Sequence, residues 1–195
     1  MVNDLSELPS KSFRTIYCDP PWRFTNRTGK MAPEHRRLHR YETLSFTEIE
    51  ALDVERLANA DAHLYLWCPN ALLAEALGIM SAWGFTYKTN LIWYKIRADG
   101  GPDRRGVGFY FRNVTEMLLF GVRGKNVRTL TPARRQENII SSRKREHSRK
   151  PDEFYPLIEA CSRPPYAELF ATIEHKRPNW TCFGKPHFPP PSVIV

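Results

Sequence analysis

The sequence predicts an α/β domain built on a doubly wound, parallel-dominated sheet. Two observations point there. Short runs rich in β-branched and aromatic residues alternate with helix-like segments, the pattern of a mainly parallel sheet with crossover helices. No internal repeat or low-complexity linker divides the 195 residues, so residues 1–195 read as one domain large enough to bury a real core.

The elements follow in order. Phe13 to Cys18 reads as a strand and stops at Pro20-Pro21, because proline cannot donate to a ladder. Residues 23–40 hold five arginines, one lysine, two histidines and one glycine, and read as a long, basic, mobile substrate loop. Ser45 with Glu48 three residues later marks a helix start. Ala62 to Cys68 is a buried strand ending at Pro69, and Ala71 to Trp83 is a helix stopped by Gly84. Tyr87 to Ile96 is a strand, and residues 97–113 read as a second mobile substrate loop around Asp99-Gly100-Gly101-Pro102-Asp103. Val114 to Val122 and Ile139 to Ser142 follow as strands. Pro151 to Cys161 is a helix with proline in its first turn. Tyr166 to Ala171 and Trp180 to Phe183 complete the strands.

Composition excludes several classes. With 42% hydrophobic and 26% charged residues the chain is ordinary for a soluble protein, and no run of 18 apolar residues is present. The mixed polar start, Met1 to Ser12, argues against a secretory signal. Cys18, Cys68, Cys161 and Cys182 form no CxxC pair, so they read as small buried side chains rather than a structural zinc site, and no metal is expected. A reducing cytoplasm fits that usage. The net charge of +8 is concentrated between Arg104 and Lys150, where 13 Lys/Arg face three acids and the balance is +10. Such a block suits a polyanionic partner, and equally a solvated basic face.

The sharpest chemical signal is Asp19-Pro20-Pro21-Trp22 at the end of the first strand. Open α/β sheets bind ligands beyond the carboxyl ends of their strands. An amino group conjugated to an aromatic ring is a poor nucleophile, because its lone pair is delocalised. A carboxylate on one N–H and a backbone carbonyl on the other localise that pair; Asp19 offers the first and Pro20, with its fixed φ, the second. Trp22 offers a face on which a base can stack, and the Asp19 charge favours a nearby cation. The same four residues also suit a strand-ending turn with a core tryptophan.

Asp-Pro-Pro-Trp after an apolar strand resembles the signature of the MT-A70 family of S-adenosylmethionine-dependent adenine-N6 methyltransferases. Further segments match that family in order, from about Thr15 to about Lys185: Tyr41-Glu42-Thr43-Leu44-Ser45, Leu64-Tyr65-Leu66-Trp67, Trp83-Gly84-Phe85 with Trp93-Tyr94-Lys95, and Gly108 to Glu116. His147-Ser148-Arg149-Lys150-Pro151-Asp152-Glu153 resembles the bacterial and phage members, and Glu168-Leu169-Phe170-Ala171 with Pro178-Asn179-Trp180 completes the series. The resemblance implies a Rossmann-like class I methyltransferase sheet with helices on both faces. It implies a permuted order in which the Asp-Pro-Pro-Trp strand comes first and the cofactor strand, Tyr166 to Ala171, late.

Carried over residue by residue, the resemblance implies catalytic roles for Asp19, Pro20, Pro21 and Trp22. It implies substrate contacts at Tyr41, Trp22 and Asn113, with Arg104 and Arg105 on the nucleic acid. S-adenosylmethionine would meet Asp19, Lys150, Glu168, Phe170, Thr172, His175, Asn179 and Lys185. Glu116 would either hydrogen-bond in the pocket or support the basic loop, while Trp93 and Lys95 read as a core aromatic and an edge charge. The chain departs from the family at two points. Thr172 stands where a basic residue is usual, and Gly184-Lys185-Pro186 replaces Gly-Asn-Gln, although lysine can donate but cannot accept. No GxGxxG cradle is present, since no glycine lies between Gly124 and Gly184. The implied function is methyl transfer to N6 of adenine in DNA. RNA as substrate, or a nucleic-acid-binding partner subunit of weak or no activity in a homo- or hetero-oligomer, are the alternatives, and cytosine-N4 chemistry ranks last.

Overall fold

The computed structural model describes residues 5–23, 43–103, 110–144, 149–171 and 175–184. Seven strands form one sheet: β1 (Phe13–Cys18), β2 (Ala58–Cys68), β3 (Thr86–Ile96), β4 (Thr115–Arg123), β5 (Ile139–Arg143), β6 (Tyr166–Leu169) and β7 (Trp180–Phe183). Their spatial order is β5-β3-β4-β2-β1-β6-β7. Strand β4 runs antiparallel to both β2 and β3, while the β1–β2, β1–β6, β6–β7 and β3–β5 pairs are parallel. The sheet is therefore parallel except for β4. That reversal brings the start of β4 to the same edge as the carboxyl ends of its neighbours, as the pairings Cys68 with Met117 and Trp93 with Glu116 record.

Both faces are covered, as expected for a doubly wound sheet. Ile16 and Cys18 of β1 and Leu64, Leu66 and Cys68 of β2 point to one core, shared with α1 (Phe46–Glu50), α2 (Val54–Leu57) and α3 (Leu73–Ala82) through Ile49, Leu57, Ile79 and Met80, and with Trp83 just past α3. Tyr17, Tyr65 and Trp67 point to the other face and meet Phe154, Leu157 and Ile158 of α4 (Phe154–Cys161). The period-2 alternation of side chains along β1 and β2 divides the two cores.

Local chemistry explains the boundaries. Ser45 and Glu48 form a reciprocal capping box that starts α1. Gly84, at φ +77°, takes the left-handed conformation just past α3 that favours glycine. The α4 helix starts at Phe154 rather than at Pro151, because the Phe154 N–H donates to Pro151 O (3.2 Å) and the Tyr155 N–H to Asp152 O (3.2 Å), closing tighter i→i+3 turns first. Strand β6 ends at Leu169, short of Ala171, because Phe170 sits at φ +63° and turns the chain away. Strand β2 begins at Ala58, four residues before the expected Ala62.

The loop expected at residues 23–40 lies outside the described residues except for Arg23. Of residues 97–113, the first part folds back on β3: the Arg97 N–H donates to Gly101 O and the Asp103 N–H to Lys95 O, both at 2.8 Å. No disulfide joins the cysteines; Cys18, Cys68 and Cys161 are buried, but Cys182 is half-buried, at the end of an edge strand rather than in the core. Among the described residues, no helix is long and apolar enough to cross a membrane.

Candidate active site

A cleft of about 240 Å³ opens where β1 and β6 end side by side, and its walls include Asp19, Lys150, Glu168, Phe170 and His175. Parallel pairing of β1 with β6 places Cys18 opposite Leu169, so the residues that follow them, Asp19 and Phe170, leave the sheet at one edge. Tyr17, Tyr155, Arg149, Asp152 and Arg177 also line the cleft.

Four charged side chains form a chain along this edge. Lys95 Nζ lies 2.8 Å from Glu116 Oε2, Glu116 pairs in turn with Lys150 through Oε1, and Lys150 Nζ lies 3.3 Å from Asp19 Oδ1. Each belongs to a different segment: the end of β3, the start of β4, the approach to α4 and the turn after β1. Only the reversed direction of β4 brings Glu116 to this edge. Lys150 also lies over the Trp67 ring, 4.7 Å from its centroid, where the π face favours a cation.

These contacts set the ionisation of the site. Burial lifts the Asp19 carboxyl to about 6, with Lys150 pulling it down and Glu116 pushing it up. Burial also opposes ionisation of Glu116, but Lys150 and Lys95 overcome it and hold that carboxyl at about 2. Lys150 is raised against the effect of burial by the carboxylates of Asp19 and Glu116. At neutral pH Asp19, Glu116 and Lys150 are charged, and Asp19 is the one of the three closest to changing state.

The rest of the Asp-Pro-Pro-Trp segment is a rigid turn. The Trp22 N–H donates to Pro20 O (2.8 Å) and the Leu44 N–H to Pro21 O (2.9 Å). One lone pair of the Pro20 carbonyl remains for another donor. Trp22 departs from the sequence expectation. It is 5% exposed, its indole N–H donates to Trp67 O at 3.1 Å, and its ring packs near Phe46. No face is open for base stacking; Trp22 locks the turn to the core.

The remaining expected residues divide. Glu168 accepts from the Tyr155 hydroxyl at 3.1 and 3.0 Å, and His175 Nε2 lies 2.7 Å from Glu168 Oε2. Asn113 is exposed and is not part of the cleft wall. Asn179 is also exposed, at φ +64°, and its carbonyl accepts from the Tyr166 N–H (2.9 Å), so it serves the turn into β7. Tyr41, Arg104, Arg105, Thr172 and Lys185 lie outside the described residues. Trp93 is a core aromatic, 3% exposed, but Lys95 is no edge charge: it is half-buried and ion-paired.

Sequence reasoning missed Tyr17, Trp67 and Tyr155. The Trp67 indole N–H donates to the Tyr17 hydroxyl at 2.7 Å, and Tyr17 packs edge-on to Tyr155. Within a strand or a helix such aromatics look like ordinary core, and only the position of Tyr17 and Trp67 near the carboxyl ends of β1 and β2, and of Tyr155 at the start of α4, marks them. Gly184, named in the sequence only as part of Gly184-Lys185-Pro186, has a packing reason: a Cβ there would stand 2.5 Å from Ala171 O, so the chain beyond β6 and β7 crosses too closely for a side chain.

Comparison with known proteins agrees with this geometry. The MT-A70 family model matches residues 13–186. The chain belongs to the MT-A70 family. It is 28% identical over 184 residues to the Type II methyltransferase M.MunI of Mycoplasma sp, covering 83% of this chain and 73% of that protein. It is 29% identical over 174 residues to a probable N(6)-adenosine-methyltransferase MT-A70-like protein of Oryza sativa subsp. japonica, covering 88% of this chain. Against the human N(6)-adenosine-methyltransferase catalytic subunit METTL3 the identity is 28% over 189 residues, 94% of this chain. The chain spans only 22% of the rice protein and 30% of the human one. The MT-A70 match contains the whole sheet and every wall of the cleft.

Proposed function

We propose that this chain transfers a methyl group from S-adenosylmethionine to the exocyclic N6 of adenine in DNA. The observation that carries the proposal is Asp19. It is a carboxylate held by Lys150 at the carboxyl edge of a parallel sheet, one residue before Pro20, in a cleft lined by polar groups. The order of strands supports a permuted methyltransferase sheet, with the Asp19 strand first in the chain and its neighbour β6 late.

The cleft residues fit the cofactor. Asp19 and Lys150 supply opposite charges 3.3 Å apart, suited to the ammonium and carboxylate of an amino-acid moiety, and Glu168 and His175 supply partners for ribose hydroxyls. When bound, S-adenosylmethionine supplies an electrophilic methyl group on a sulfonium. The chain does the rest. Asp19 accepts one N–H of the target amino group and the Pro20 carbonyl the other, so the nitrogen lone pair is freed from the ring. The Asp19 charge then favours the positive charge that grows on that nitrogen. Trp22 contributes by holding the turn rigid rather than by stacking.

Exposed basic residues lie along one stretch of chain, with Lys125, Arg128, Arg134 and Arg135 all at the surface, and they suit the phosphate backbone. DNA is favoured by the share of relatives that the chain spans: 73% of a Type II methyltransferase against less than a third of the adenosine methyltransferases. The test is methyl transfer by the purified protein to matched DNA and RNA oligonucleotides, with the product nucleosides identified by mass spectrometry. N6-methyldeoxyadenosine is the expected product. Transfer to RNA alone overturns the choice of DNA, and transfer to neither overturns the reading as a self-sufficient enzyme.

A further inference from the structure

We propose that Glu168, His175 and Cys182 form a binding site for a thiophilic divalent cation, zinc being the best match. The sheet register creates the cluster. In the parallel pairing of β6 with β7, Glu168 stands opposite Cys182, so both side chains leave the sheet on one face. His175, from the connection between those strands, folds back onto the pair. Its Nε2 lies 2.7 Å from Glu168 Oε2 and 3.4 Å from Cys182 Sγ. The three ligand atoms all lie within 4.8 Å of one another.

The donor set selects the ion. Oxygen-seeking cations such as magnesium and calcium do not take thiolate, whereas sulfur, imidazole and carboxylate together are the ligands of zinc. Zinc bonds of about 2.0 to 2.3 Å in a tetrahedron place donors roughly 3.3 to 3.8 Å apart. The His175–Cys182 separation already lies in that range, and the Glu168–His175 hydrogen bond would open by less than about 1 Å to join it. The Tyr155 hydroxyl donates to both Glu168 oxygens and orients the carboxylate, the support that metal-binding carboxylates normally have. Side-chain exposure is 18% for His175 and 12% for Glu168, so bulk water competes weakly.

On binding, the Cys182 thiol gives its proton to solvent and the thiolate coordinates. The proton shared between His175 Nε2 and Glu168 passes to His175 Nδ1, which has no other partner among the described residues, or to solvent. The Nε2 lone pair and one Glu168 oxygen then turn to the ion, and water takes the fourth position. No electron is transferred. Glu168 and His175 are also the residues offered above to the ribose hydroxyls, so the ion and the cofactor would compete for them. The metal assay contains neither cofactor nor nucleic acid, so its outcome is read separately from methyl transfer.

The experiment uses the full chain, stripped with chelator and titrated with Co²⁺ as a visible stand-in for zinc. A thiolate-to-metal charge-transfer band saturating at a single equivalent is expected, bleached by added Zn²⁺. Cys182→Ser should remove the band, and His175→Ala should weaken binding by roughly tenfold or more. No band in the wild-type protein, or an unchanged band in Cys182→Ser, overturns the site. Should the variants fail to fold, the wild-type protein decides alone: Zn²⁺ must protect Cys182 from alkylation, read by peptide mass, and equal alkylation with and without Zn²⁺ overturns the site.

Discussion

Replacing Asp19 by asparagine should lower the rate of methyl transfer and raise the stability of the fold at once. Both effects come from the same charge. The Asp19 carboxyl rises from 3.8 to about 6 on folding because burial outweighs the attraction of Lys150. A rise of that size separates the two protonation states by about 3 kcal/mol. The sign follows from linkage. A carboxyl raised on folding contributes stability that is fully present below pH 3.8 and lost as pH climbs through 6, so at pH 7 the wild-type protein carries the whole penalty. Asparagine keeps the size and stays neutral, and Lys150 keeps its pair with Glu116. Asp19→Asn should therefore gain up to about 3 kcal/mol at pH 7, less whatever solvent screening removes, since the Asp19 side chain is 26% exposed. The gain should vanish below about pH 4.

The same substitution removes the group that favours positive charge on the target nitrogen. Losing one preorganised electrostatic contact costs on the order of 10² to 10³ in rate. In the wild-type protein, transfer should fall as pH drops through about 6, where Asp19 takes up its proton. The assay is single-turnover transfer to an adenine-containing oligonucleotide, run beside denaturant unfolding from pH 4 to 8. A near-full rate in Asp19→Asn refutes the mechanism. A large loss of stability at pH 7 refutes the reasoning on burial and makes Asp19 a structural residue.

Three further outcomes are expected. Glu116→Gln leaves Lys95 and Lys150 half-buried without their shared partner, at a cost of about 3 kcal/mol, and the loss of its negative charge should move the acid limb of the pH–rate profile to lower pH; unfolding curves and the profile check both. His63 is buried against Ser162 (Nδ1–Oγ 2.7 Å) and burial holds it down to about 4, so it should contribute stability above pH 6.5 that is lost as pH falls toward 4, about 3 kcal/mol in all. His63→Gln should remove that part of the slope in stability against pH, and an unchanged slope places the titrating group elsewhere. Arg134→Ala with Arg135→Ala should flatten the log–log salt dependence of duplex DNA binding by about 1.8, two phosphates at about 0.9 each; an unaltered slope puts the nucleic-acid surface on other residues.

The strands were legible because β1 and β2 are buried on both faces and bounded by proline, and α1 because Ser45 and Glu48 carry their signal within four residues. Asp19 was read from its place at the end of the first strand, and Lys150, Glu168, Phe170 and His175 came from the resemblance; all five stand around one cleft. What stayed hidden depended on long-range pairing. Alternating strands and helices announce parallel neighbours but do not mark the one strand that reverses, so Lys95 read as an edge charge and Glu116 remained undecided. Glu168, His175 and Cys182 stand seven residues apart, too far for a local ligand motif, and only the β6–β7 register brings the outer two together. Trp22 was misread for another reason: an indole after two prolines suits a stacking platform and a core anchor equally, and the hydrogen bond to Trp67 O that decides between them spans 45 residues.

That bond also shows how the site divides its work. The turn after β1 is fixed by groups that never face the cleft: Trp22 in the core, its indole on Trp67 O, and the Leu44 N–H on Pro21 O. Trp67 is shared between this anchor and the charged row, since its backbone holds Trp22 while its ring lies under Lys150 and its indole N–H reaches Tyr17. A carboxylate lifted toward neutral pH can be aimed only if its backbone cannot retreat to water, and the anchor prevents that retreat. Removing the anchor should therefore resemble removing the charge. Trp22→Phe keeps the apolar volume but leaves Trp67 O without its donor. It should cost about 1 to 3 kcal/mol in stability for the unsatisfied carbonyl, and it should let Asp19 relax toward solvent, so that the acid limb of the pH–rate profile moves below about 6. Under a stacking role the outcome is different: Trp22→Phe would change the KM for the oligonucleotide and leave the limb where it is. A profile unmoved while KM rises severalfold would return Trp22 to the substrate, and a shifted limb with KM unchanged assigns it to the scaffold.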